Sequence, residues 1–229
     1  MHLSRPLMLA ALLAAPALGR DDALKVEPLP GAPPATLAAP VKESLAATGY
    51  KVLDGQGKPF AEIWLRKALP ASAKPSGTKG TILFPLLAEG ELLGVLRFVA
   101  EGHDYRDQAI APGVYTLRYG LQPVNGAHLG VSETRDYAML LPAAQDQATT
   151  PLTGDKLATT SAEAAGSSHP AVLLMLAAPS GAKEGVADVA HDDAKNTTGV
   201  VLPITLAVKG ESAPSSLLVQ IVVVGMAAN

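Results

Sequence analysis

Two polar stretches of this chain carry the side chains best suited to chemistry. His103 and Asp104 lie within EGHDYRDQ, and His128 and Asp136 lie within the second stretch, residues 125–136. Imidazole nitrogen and carboxylate oxygen are ordinary ligands of zinc, copper and iron, so a mononuclear metal site built from His103, Asp104, His128 and Asp136 is one chemistry the sequence allows. No H-x-H or H-E-x-x-H spacing fixes its geometry in advance. The competing expectation is local: Asp104, Asp107, Asn125 and Asp136 cap turns, with Arg106 and Arg135 as charge partners. Both stretches flank the strand pattern at residues 112–121, whose ends lie roughly 30 Å apart at about 3.3 Å per residue, which separates the two patches unless the loops fold back.

A second constellation is cationic. Arg66, Arg97 and Arg118 each fall in a different strand pattern, and if those strands are neighbours their guanidinium groups line one sheet face and can hold an anion by bidentate hydrogen bonds. Trp64 shares the face of Arg66 and offers a ring for stacking on a sugar or a guanidinium. The alternative is a half-buried sheet whose outer arginines pair with Glu62, Glu91 or Glu101. Nucleophilic catalysis has little support. There is no cysteine and no G-x-S-x-G, and the serines beside His169 sit in GSSHP, where Pro170 biases its predecessor towards extended backbone. No motif implies a cofactor.

The elements that must hold these residues read as strands. All nine aromatic residues, from Tyr50 to Tyr137, fall in one stretch that should hold the densest packing. Alternation is clearest in PGVYTLRYGL, where Tyr115, Leu117, Tyr119 and Leu121 share one face while Val114, Thr116 and Arg118 share the other. Residues 50–53 and 60–66 form a hairpin pattern, and 81–87, 92–99 and 136–141 follow as strands. Residues 153–165 carry modest helical signals, with Thr153 or Asp155 placed to cap. Four further strand patterns cover 171–177, 186–190, 200–208 and 216–224. Regularly spaced strands of this kind predict an all-β fold, an antiparallel β-sandwich with one short helix near 153–165.

The ends of the chain carry different information. His2 and Arg5 precede an apolar run at residues 7–15 and a small-residue cleavage pattern, so residues 1–19 are expected to be a signal peptide. Five prolines in PLPGAPPATLAAP predict a stiff spacer over residues 20–47, ahead of a single domain at 48–229. The formal net charge is −3, and no basic run interleaved with aromatics points to nucleic acid. LLVQIVVV, at 217–224, is too short and too β-branched for a membrane helix, so no membrane anchor is expected after signal cleavage. A secreted or bacterial periplasmic location follows from these features, and the absence of cysteine fits folding there on apolar burial alone.

The block HDYRDQAIAPGVYTLRYGLQPVNGAHLGVSETRDYAMLLP resembles an uncharacterised group of exported bacterial proteins, with PGVYTL and Arg135-Asp136-Tyr137 as its most distinctive text. That resemblance, over about residues 50–224, implies export and carries no activity, ligand or catalytic residue. The PGVY piece is also similar to the strand entry of transthyretin-like and carboxypeptidase-regulatory-like sandwiches. The function expected from the sequence is a noncatalytic binding or structural module of unknown partner. A metal-binding protein or metal-dependent enzyme, using the His103 and His128 patches, is one alternative. A carbohydrate-binding accessory module centred on Trp64 and exposed tyrosines is the other.

Overall fold

The computed structural model describes residues 23–124 and 132–227. Its strands run β1 (Lys25–Pro30), β2 (Thr48–Leu53), β3 (Pro59–Leu65), β4 (Leu69–Ala71), β5 (Leu92–Phe98), β6 (Gly102–His103), β7 (Ala109–Ile110) and β8 (Gly113–Leu121). Then come β9 (Asp136–Pro142), β10 (Val172–Ala177), β11 (Asp188–Asp192), β12 (Thr197–Val208) and β13 (Ser215–Val224). Helix α1 covers Ala39–Ser44 and α2 covers Gly154–Ala164. The β-rich fold and the short helix after β9 therefore match the spacing of strand and turn signals.

One sheet runs in the order β1-β2-β3-β5-β8-β9-β10-β13-β12-β11. Neighbours along it are antiparallel, and β4 joins β12 in parallel. Strand β10 turns the corner: Val172 to Leu174 pair with β9, and Met175 to Ala177 pair with β13. The chain makes a second crossing when it leaves β3 and, as β4, docks on β12. The two halves are thus joined through shared strands rather than standing as two separate sheets, and the inner side chains of both meet in one core. Ile63, Leu96, Leu117, Tyr119, Leu140, Val200, Leu202 and Ile221 all belong to it. The alternation in PGVYTLRYGL sorts as expected, with Tyr115, Leu117 and Tyr119 inward.

The outer face is the surprise. Thr116 and Arg118 point away from the core yet are fully buried, because other segments cover the sheet from outside. Helix α1 and its flanks lay Leu37, Val41 and Leu45 over Trp64, Leu92 and Val95. Helix α2 sets Leu157 against Met139 and Leu141, and its Ser161 hydroxyl donates to the Ala171 carbonyl at 3.0 Å.

Residues 20–47, expected to be a spacer, are therefore packed where the structure describes them. Lys25 through Pro30 pair along their whole length with β2. Proline tolerates this placement, because Pro28 and Pro30 lie in a terminal strand of the sheet and Pro40 sits in the first turn of α1, where a fixed φ and a missing N–H do little harm. Leu37, Val41 and Leu45 recur every four residues, the stripe of a helical face. A second expectation also changes: residues 81–87 form turns rather than a strand, although Phe84, Leu86 and Leu87 still bury their side chains. The Asp136 carboxylate takes the backbone N–H groups of Leu83 and Phe84, at 2.8 and 3.1 Å, in place of a sheet partner.

Candidate functional site

The pleat puts Glu62, Trp64, Arg66, Arg97 and Arg118 on the outer side of the sheet, and strand register decides which of them meet. Glu62 stands directly opposite Arg97, and Trp64 opposite Val95. Arg118 stands opposite Leu92, beyond a register shift in β5. The three arginines therefore share a face without forming one cationic surface.

Arg118 is closed off completely. Its Nε and one terminal nitrogen donate to the two Asp146 oxygens at 2.6 and 2.7 Å, while the carbonyls of Gly90, Ala148 and Thr150 accept at 2.6, 2.6 and 2.9 Å. These bonds occupy all five guanidinium N–H groups. Asp146 takes a further bond from the Thr116 hydroxyl. No donor remains for an anionic ligand, so the arginine acts as a clamp between the 88–91 turn and residues 146–152. Arg66 is held by the Glu91 carboxylate. Glu91 is only 4% exposed, and burial raises its pKa against the opposing pull of Arg66 and Arg118.

The residues expected as metal ligands are distributed among separate local tasks. The Asp104 carboxylate accepts the N–H groups of Arg106 and Gln108 on one oxygen, at 2.9 and 2.8 Å. Its other oxygen accepts the Gln108 amide and the Val172 N–H at 2.8 and 3.1 Å. That is a turn cap that also pins the turn to β10. Asp136 receives, besides Leu83 and Phe84, the Tyr119 hydroxyl at 2.6 Å, and lies at the end of the inner core. Burial, and then this carboxylate, raise the pKa of Tyr119, while burial pushes Tyr137 up to about 12. His103 is exposed, with Nδ1 3.1 Å from Asp107 and Nε2 3.9 Å from Glu101. His128 lies outside the described residues. Among the described residues no three His, Asp or Glu side chains converge on a point where a metal ion could sit.

One part of the cationic face does stay open. Trp64, Glu62 and Arg97 floor a hollow of ≈ 220 Å³ whose walls are Leu29 and Pro30 at the end of β1 and the following Gly31, Ala32 and Pro34. The Trp64 indole N–H donates to the Gly31 carbonyl at 3.3 Å, which holds the wall against the sheet. Arg97 Nε lies 2.9 Å from Glu62 Oε2, and a terminal nitrogen donates to Oε1 at 3.3 Å. The Nε contact is one of charge alone, because its N–H is not aimed at the carboxylate and has no aligned partner. The Arg97 side chain is 44% exposed and that of Glu62 14%, so the pair reaches solvent mainly through the arginine.

Trp64 itself is only 3% exposed, and Tyr105, Tyr115, Tyr119 and Tyr137 are buried as well. A sugar site built on stacking against exposed rings is therefore not what the fold presents. Strand alternation in the sequence points to Trp64 and Arg97 but not to the 29–34 wall or the Asp146 clamp. The wall was legible only as PLPGAPP, and Asp146 follows PAAQ with no spacing signal towards Arg118.

A second open hollow, of ≈ 460 Å³, lies between the start of β8 and the end of α2, lined mostly by alanine and glycine with Glu163. No family model matches the chain, and searches of curated proteins and of solved structures give no significant match.

Proposed function

We propose that this chain is an exported, noncatalytic binding module that takes a small polar ligand in the hollow floored by Trp64, Glu62 and Arg97. One observation carries the reading. In that hollow a charged pair on paired strands stays partly accessible, whereas Arg118, Asp104 and Asp136 use their hydrogen-bonding capacity on backbone and neighbouring side chains. Sites on rigid strands with few polar groups suit recognition of orientation. The apolar run at residues 7–15 and the resemblance of the 103–142 block to exported bacterial proteins support export.

A fragment screen by thermal shift on the full chain tests the binding claim. Ala32 sits exposed on the rim, so Ala32→Trp covers the hollow without entering the core. Hits that raise the melting temperature of the parent and leave Ala32→Trp unmoved support the reading. Hits that shift both equally place binding elsewhere. N-terminal sequencing of the exported product, with a new terminus near residue 20, checks the export claim.

The metal alternative retains His103 and Asp107 as an exposed pair. Zinc, copper or iron that raises the melting temperature of the full chain, and loses this effect in His103→Ala, would favour it over the binding module.

A further inference from the structure

We infer that the ligand class of this hollow is a neutral polyhydroxyl compound, a saccharide residue carrying adjacent hydroxyl groups, rather than an anion. The inference rests on the binding-module reading and adds the chemistry of the ligand. Charge decides between the two classes. Glu62 faces Arg97 across the strands, so the floor carries one positive and one negative group and no net charge. An anion approaching the guanidinium also approaches the carboxylate, and the like-charge term opposes what the arginine contributes. A pair of adjacent hydroxyls has no such conflict. One hydroxyl donates to a free Glu62 lone pair while its neighbour accepts from the Arg97 N–H groups that Glu62 does not engage.

Arg97 keeps donors in reserve for this. Glu62 accepts one terminal N–H of Arg97 and sits beside Nε, which leaves the rest of the planar fork for a ligand. The walls suit the other side of a sugar ring. Leu29, Pro30, Ala32 and Pro34 present aliphatic surface to C–H groups, and a prolyl ring offers contact area without rotamer entropy to lose on binding. The buried indole of Trp64 serves as floor and holds the Gly31 wall in place.

Glucose, galactose and mannose on one side, phosphate and citrate on the other, are titrated against the full chain with saturation-transfer NMR. The parent is expected to bind at least one of the three sugars, and Ala32→Trp to abolish this. Glu62→Gln and Arg97→Met are each expected to weaken sugar binding about tenfold, since each removes one good charged hydrogen bond of roughly 1.4 kcal/mol. The Glu62 side chain is only 14% exposed, so Arg97→Met should lower the thermal midpoint somewhat, and circular dichroism of both variants checks that the fold is kept.

For an anion the two variants act with opposite sign, Arg97→Met weakening binding and Glu62→Gln strengthening it. That pattern overturns the saccharide inference while the binding-module reading stands. Sugar binding that survives Ala32→Trp, or no binding of any of the three sugars, also overturns it. The thermal-shift screen against Ala32→Trp judges the binding module separately.

Discussion

Replacing Arg118 by methionine removes a cation of similar length from a fully buried position and leaves its surroundings nearly unchanged in shape. The consequences differ among its four partner residues. Ala148 and Thr150 are exposed, so their carbonyls regain water, and the Gly90 carbonyl keeps the Leu152 N–H at 3.1 Å. Asp146 has no such recourse. Its side chain is 3% exposed, and without Arg118 its named partner is the Thr116 hydroxyl alone. Stranding one member of a buried ion pair costs about 3–5 kcal/mol. At ~2–4 °C per kcal/mol for a chain of this size, the melting temperature of Arg118→Met should fall by roughly 6–20 °C. The double variant Arg118→Met/Asp146→Leu should be more stable than Arg118→Met, because it removes the stranded charge as well. Thermal and urea unfolding of the two variants and the parent at neutral pH measure the shift and the free energies. A loss below about 1 kcal/mol in Arg118→Met would refute the argument, since that is the worth of a solvated surface pair.

Three further outcomes follow from the same geometry. Leu45→Ala should cost about 2–5 kcal/mol by chemical denaturation, because Leu45 is 2% exposed between α1 and Trp64, whereas a true spacer residue would cost almost nothing. Burial raises the folded pKa of Glu91 above its unfolded value, so this group's contribution to stability is full below the ordinary carboxylate pKa and lost as pH rises through the folded one. Unfolding free energies of the parent and Glu91→Gln, measured from acid to neutral pH, should therefore shift in favour of the variant as pH increases; a difference that is flat in pH would contradict this. The Tyr119 and Tyr137 hydroxyls are held protonated above the ordinary phenol value, so their stabilising share is present below about pH 10 and lost above it. Burial raises all five tyrosines, so an alkaline absorbance titration should show the tyrosine signal appearing above the ordinary phenol value, and Tyr119→Phe with Tyr137→Phe should remove its latest part.

Several features were legible residue by residue. The two-residue period places Tyr115, Leu117 and Tyr119 on the core side, and glycine, proline and aspartate punctuation separates the strands. Asp104 reads correctly as a turn cap, because an aspartate two residues before a backbone N–H makes that bond locally. Its bond to Val172 N–H was not legible, since nothing near Asp104 announces a partner in β10. Proline density alone does not disclose that residues 25–30 pair with β2 and that Leu37, Val41 and Leu45 are buried. The count of prolines says how stiff a segment is, and the spacing of Leu37, Val41 and Leu45 says that it packs. Alternation places Trp64 on the outer face, but α1 and residues 29–34, which bury it, leave no mark near it in the sequence.

What the sequence determines here is the inside of the sheet. Alternation is enforced by the pleat of each strand on its own, so inner and outer residues separate without knowledge of any neighbour. Only the tertiary structure decides what becomes of the outer residues. Arg118 is sealed by Asp146 and Arg97 is left open beside Glu62, although both are arginines on the polar side of a strand. The difference lies in which distant segments fold over them. Loop-closure entropy grows slowly with loop length, so chains can bring such covers from far away, and spacing in the sequence does not record where they land.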